Sequence, residues 1–230
     1  MDAAPLTMPA WLKRLFSSAE AGSPFPAETS LDALRYVVVD TELTSLDSAT
    51  NRILSIGAIT MDGTRIRLGE QFYEVINPGT AVPAETVVIH GLRPVDVLMG
   101  STPAHAITEF LKFAGKAVLA GHFVAIDLAA LKKELPSAAP RLDEPAVCTA
   151  RVQRWLDQRR TAYPVDRGHH VENVDLASLV ERHGIETGEP HHALSDAFQT
   201  AMLWQRLIPA LEAHGIRTLA ELLRIGRASR

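Results

Sequence analysis

Four carboxylates and one imidazole stand out in this chain for where they lie. Asp40 and Glu42 are two apart at the end of the apolar run Tyr36-Val37-Val38-Val39. On a strand, alternate side chains project from one face, so the two acids point the same way. Such a pair costs free energy unless a cation or hydrogen bonds compensate it, the alternative being a solvated turn. Asp127 follows the apolar run Ala117–Gly121 by six residues and, taken alone, reads first as an ordinary helix N-cap or first-turn acid. Asp196 lies among Ala193, Leu194, Ala197, Phe198, Ala201 and Met202, so it is expected to face the core and to need a partner. His191 precedes it by five, about 140° around a helix axis. If the two share a site, His191 belongs in the loop before the helix; otherwise it is an exposed loop histidine. As a set, these groups suit two hard divalent cations roughly 3.5 to 4 Å apart with one base nearby, and oxygen donors favour Mg²⁺ or Mn²⁺ over zinc.

Positioning them requires a sheet. Arg35–Asp40 has the β-branched density of a central strand, and Ile53–Thr60 and Ile66–Ile76 follow it, with Asp62-Gly63 as a hairpin signal between them. Thr102-Pro103 opens a helix that Gly115 closes. A short strand over Ala117–Ala120 leads into a helix over Ile126–Leu135. Helices are expected over Cys148–Arg160, Asp175–His183 and Ala193–Leu207, and the capping box Thr218-x-x-Glu221 opens a last one. Antiparallel strands first and βα units afterwards predict an α/β fold, a mixed sheet flanked by helices. The expected organisation is an N-terminal extension over 1–31, a main domain over 32–210 and a C-terminal helix over 211–230.

The 230 residues are 47% hydrophobic and 22% charged, which suits a globular domain and excludes disordered or collagen-like chains. One cysteine, Cys148, allows neither an internal disulfide nor a cysteine zinc set, and is expected to pack in the core of a cytoplasmic protein. With 23 Lys and Arg against 27 Asp and Glu, the net charge of −4 argues against holding nucleic acid by bulk positive charge. No signal peptide or membrane span can be drawn, so a soluble protein is expected. Trp11, Leu12, Leu15 and Phe16 form a short amphipathic stretch that either packs on its own domain or docks elsewhere. Arg151, Arg154, Arg159 and Arg160 read as a solvated helix face or a phosphate track. His169-His170 has no nearby cysteine to complete a zinc set. Nucleophile-elbow, phosphate-loop, dinucleotide-binding and H-E-x-x-H signatures are absent.

Three blocks, in order, resemble the DnaQ-like 3′→5′ exonucleases of the DEDDh type, the family of polymerase proofreading subunits, ribonuclease T and oligoribonuclease. They are Val39-Asp40-Thr41-Glu42, Gly121-His122-Phe123-Val124-Ala125-Ile126-Asp127 and His191-His192-Ala193-Leu194-Ser195-Asp196. Asn51-Arg52-Ile53-Leu54-Ser55-Ile56-Gly57-Ala58 and Ile89-His90-Gly91-Leu92 match further family segments. The resemblance implies a ribonuclease H-like fold, metal binding by Asp40, Glu42, Asp127 and Asp196, and His191, rather than His192, as general base. It also implies a terminal nucleotide lined by Thr41, Leu43 and Thr44, with His122 a further substrate contact, and a 3′→5′ exonuclease acting with two Mg²⁺ or Mn²⁺ ions. The expected partners are single-stranded DNA or RNA 3′ ends and a polymerase. The alternative is a catalytically silent module of the same fold that binds a polymerase or an RNA-processing partner. Departures from the family pattern are Ser45 for glycine, Leu43 for threonine, Phe123 for asparagine and Ile126 for phenylalanine.

Overall fold

The computed structural model describes residues 25–83, 86–87, 90–136, 142, 145–160, 173–188 and 190–228. The amphipathic stretch at Trp11–Phe16 and the His169-His170 pair lie outside them. Five strands form one sheet: β1 (Arg35–Leu43), β2 (Ile53–Asp62), β3 (Arg65–Val75), β4 (Val118–Gly121) and β5 (Ala146–Cys148). Their order is β3-β2-β1-β4-β5, with β1, β2 and β3 antiparallel and β1, β4 and β5 parallel. This is the mixed sheet expected from the order of elements.

Val37, Val38 and Val39 are fully buried, as a strand covered on both faces demands. The β2–β3 hairpin turns through Gly63-Thr64, Gly63 taking the φ of +55° that a tight two-residue turn needs at its first position. Alternation along β1 divides its side chains between the two faces. Tyr36 meets Trp204 edge to face at 5.6 Å on one of them. On the opposite face Phe72, whose register partner is Ala58, packs against Phe110 and Phe113.

The helices are α1 (Pro94–Leu98), α2 (Pro103–Ala114), α3 (Ala125–Glu134), α4 (Thr149–Arg160), α5 (Leu176–Arg182), α6 (Ala193–Ala213) and α7 (Leu219–Gly226). Helix α6 lies on the Tyr36 face and α2 on the Phe72 face. Three features depart from the sequence reading. Cys148 ends β5 instead of opening a helix, because a three-residue strand leaves no periodicity to read and α4 begins at once. Helix α1 is one turn long, held by Pro94 at its start and the Arg93–Asp96 pair. Helix α6 runs on through Pro209, carried by the burial of Ile208 and Leu211. Cys148 is buried, as expected. No helix of the described residues is long and apolar enough to cross a membrane.

One contact fixes α6 on the sheet. Gly57 stands opposite Asp40 in the β1–β2 register, and a Cβ there would lie 2.2 Å from the backbone of Ala193 and Leu194. Backbone meets backbone at this point, so Gly57→Ala requires the first turn of α6 to lift. We expect it to cost about 3 kcal/mol or more, read as a fall in Tm of roughly 6–12 °C for a domain of this size. Gly69→Ala, where a Cβ meets nothing within 4 Å, should leave Tm nearly unchanged.

Candidate active site

Asp40 and Glu42 leave β1 on its α6 face, and the first turn of α6, seated on Gly57, brings Asp196 to them. One carboxylate oxygen from each of the three acids lies within 4.8 Å of the others. Asp196 is held at both oxygens: the His191 backbone N–H donates to Oδ2 at 3.0 Å and Gln199 Nε2 to Oδ1 at 3.1 Å. The partner that the inward position of Asp196 called for is therefore the His191 amide together with Gln199. Gln199, one turn along α6, was not singled out in the sequence; its i+3 spacing from Asp196 is the signal that was there to find.

Asp127 approaches from the other side. Thr41 lies on the opposite face of β1 from Asp40, and Asp127 Oδ1 accepts from the Thr41 amide at 2.9 Å and from its hydroxyl at 2.6 Å. Asp127 is buried in the first turn of α3. Its negative charge bears on Asp40 more than that of Glu42 or Asp196.

Burial pushes all four carboxyls toward their protonated forms, and repulsion from the other acids adds to it at Asp40 and Glu42. Asp40 is raised well above the usual carboxylate range, first by burial, then by the charges of Asp127, Glu42 and Asp196. Glu42 is pushed up to about 7 by burial and by Asp196 and Asp127. Asp127 is raised by burial against the pull of its Thr41 hydrogen bonds, and Asp196 by burial against the His191 amide and the neighbouring histidines. A converging set of hard oxygens that resists ionisation by itself fits divalent cations, whose charge would favour the ionised forms.

The two adjacent histidines divide their duties. His192 caps α6, its Nδ1 accepting from the Ser195 amide at 3.4 Å, and its ring stacks on Tyr73 at 4.6 Å. His191 precedes it in the loop, exposed, with a φ of +58°. Both readings of His191, as a member of the site and as an exposed loop histidine, place it in this loop.

The remaining positions are tied into the fold. Thr44 is buried; its hydroxyl accepts from the Arg52 amide at 2.9 Å and its own amide donates to the Arg52 carbonyl at 2.9 Å. Leu43 is half-buried against the core. His122 is buried, with Nε2 2.8 Å from the Val174 carbonyl and Nδ1 2.8 Å from the Thr149 hydroxyl. The carbonyl can only accept, so Nε2 carries the proton and Nδ1 accepts. Burial pulls His122 down to about 4, which keeps it neutral. Both nitrogens of His122 are thus used inside the protein. The far end of α3 steadies the loop after β1: Glu134 accepts from the Ile53 amide at 2.9 Å and pairs with Arg52 at 3.3 Å, and Lys133 donates to the Ser48 carbonyl at 3.1 Å.

Because Glu42 titrates higher in the folded chain than the 4.5 of the free group, its contribution to stability is complete below pH 4.5 and lost as pH rises through about 7. In chelator-treated protein, Glu42→Gln should therefore gain stability relative to wild type between pH 4.5 and 7, by on the order of 3 kcal/mol at most. Added Mn²⁺ should stabilise the wild type and not the variant. Thermal unfolding across that pH range measures both.

The family model described as Exonuclease, of the RNase T type, matches residues 37–204. The DNA polymerase III subunit epsilon-like protein of Rhodobacter capsulatus is 33% identical over 200 residues, covering 86% of this chain and 27% of its own length. The DNA polymerase III subunit epsilon of Aquifex aeolicus is 25% identical over 177 residues, covering 76% of this chain and 81% of its own. This chain thus spans about a quarter of the first relative and most of the second. Among solved structures, E. coli Exonuclease I in complex with a dT13 oligonucleotide superposes with a TM-score of 0.66 at 17% identity, over 79% of this chain and 42% of its own. Exonuclease X in complex with 5′ overhanging duplex DNA gives 0.60 at 18% identity, over 83% and 98%.

Proposed function

The chain belongs to the RNase T-type exonuclease family, and from that premise we propose that it removes nucleoside 5′-monophosphates from the 3′ end of single-stranded DNA or RNA. The observation that carries the reading is the meeting of Asp40, Glu42 and Asp196, drawn from a strand and a helix more than 150 residues apart in sequence, within 4.8 Å of one another. Asp127, bound to the Thr41 of the same strand, completes the set of acids that would hold two Mg²⁺ or Mn²⁺ ions. When bound, such ions supply Lewis-acid activation of water and neutralise charge on the phosphate and the departing 3′ oxygen.

The chain's own part is positional and acid–base. His191, exposed beside Asp196, takes the proton of the attacking water. The half-buried Leu43, at the end of β1, wedges against the terminal base. Thr41 and Thr44, whose side chains are committed to Asp127 and Arg52, line the pocket through the backbone they fix. His122 acts as a strut under the turn that delivers Asp127. Local acids with their cations let a chain of net charge −4 act on a polyanion. Similarity to DNA polymerase III epsilon-type subunits supports a polymerase as partner of this chain as well.

An end-labelled single-stranded oligonucleotide incubated with Mn²⁺ tests the reading. Wild type should shorten it stepwise from the 3′ end; Asp40→Ala should abolish cleavage, and His191→Ala should slow it by about 10²–10⁴-fold. Equal degradation by wild type and Asp40→Ala would defeat the proposal.

A further inference from the structure

Two large apolar side chains stand exposed next to Asp127. Phe123, 37% exposed, lies in the turn that leads from β4 into α3, and Ile126, 44% exposed, lies in the first turn of α3. Phe123 also holds a φ of +53°, a left-handed conformation that a bulky aromatic residue rarely adopts and that asparagine tolerates. An exposed aromatic ring on a strained backbone lowers the stability of the free protein twice over, and such strain gathers at ligand sites. The ring does not float. It rests edge to face on His122 at 4.6 Å, and His122 is locked by Thr149 and Val174. On its outer side lies Arg154 of α4, exposed, its guanidinium carbon 5.9 Å from the ring centroid. That is the far limit of a cation–π contact, so the guanidinium is loosely held and can exchange the ring for an anion. Arg159, by contrast, is spent on Trp155, 3.3 Å above its ring.

We propose that Phe123 and Arg154 form a platform for the nucleotide next to the one being removed, the ring stacking on its base and the guanidinium binding its phosphate. The proposal rests on the exonuclease reading above and adds to it the part of the strand that the acids do not touch. Stacking on an aromatic face is indifferent to base identity, and an adjacent cation supplies the phosphate contact that a net acidic surface otherwise lacks. It follows that the platform serves a strand of two or more nucleotides and does nothing for a single one.

Substrate length provides the test. Wild type, Phe123→Asn and Arg154→Ala are compared with Mn²⁺ on oligothymidylate and on the p-nitrophenyl ester of thymidine 5′-monophosphate, which has no second nucleotide. Phe123→Asn should raise KM for the oligonucleotide about tenfold, with kcat and the ester kinetics unchanged and Tm no lower than wild type. Arg154→Ala should also raise the oligonucleotide KM and make it less sensitive to salt. Active wild type with an unchanged oligonucleotide KM in Phe123→Asn, or equal losses on both substrates, would overturn the platform alone. Wild type inactive on both substrates would overturn the exonuclease reading and the platform with it.

Discussion

The first turn of α6 rests on bare backbone at Gly57, and the arrangement of the site depends on that contact. Gly57 faces the same way as Asp40, its register partner on β1, so the one position on β2 without a side chain lies beside the acid that most needs neighbours. With the backbone of Ala193 and Leu194 this close, α6 has no freedom to shift along the sheet. The backbone position of Asp196, in its first turn, is therefore set by the sheet, and its carboxylate is then held by the His191 amide and Gln199. The rest of the helix, through Trp204 against Tyr36, secures a position that the glycine defines.

Bringing these carboxylates together is unfavourable, and the compensation is local. Asp127 accepts two hydrogen bonds from Thr41, and Asp196 accepts one from the His191 amide and one from Gln199. No hydrogen bond holds Asp40 or Glu42 in the same way among those described, and these two lie on the strand between the elements that carry the others. The fold thus stabilises the outer acids and leaves the central pair to be balanced by a cation. Metal affinity and the free energy stored in the ion-free site are two aspects of one arrangement: each buried charge that raises the cost of ionisation also deepens the well for a divalent ion.

Much of this was legible in the sequence. The apolar run ending at Asp40 located the central strand and its acids, and the antiparallel-then-parallel order of strands followed from Asp62-Gly63 and the later βα units. The inward face around Asp196 correctly called for a partner, and the helical geometry correctly put His191 in the preceding loop. What escaped was short or tertiary. β5 and α1 are too brief to show a period. The hydroxyl of Thr41 serves Asp127, 86 positions away, a relation no local pattern reveals. The bridge that the two nitrogens of His122 make between Thr149 and Val174 is equally tertiary. Gly57 could be seen as part of a familiar segment, yet its reason is an absent side chain under another helix.

The contrast between adjacent histidines shows how capping can hold one ring and free the other. A helix N-terminus leaves amides without partners, and the residue at the cap must turn its side chain back to accept from them. His192 holds that position: Nδ1 takes the Ser195 amide and the ring is further fixed against Tyr73, so it has little freedom to approach a water molecule. The residue before the cap then has to reverse the chain. His191 does so through a left-handed conformation, which aims its amide at Asp196 and leaves its imidazole in solvent. One backbone geometry thus orients an acid through the main chain and leaves an imidazole free through the side chain. Exchanging the order of cap and free residue would separate the two functions, which is a physical reason for the proposed base to stand five residues before the acid and not four.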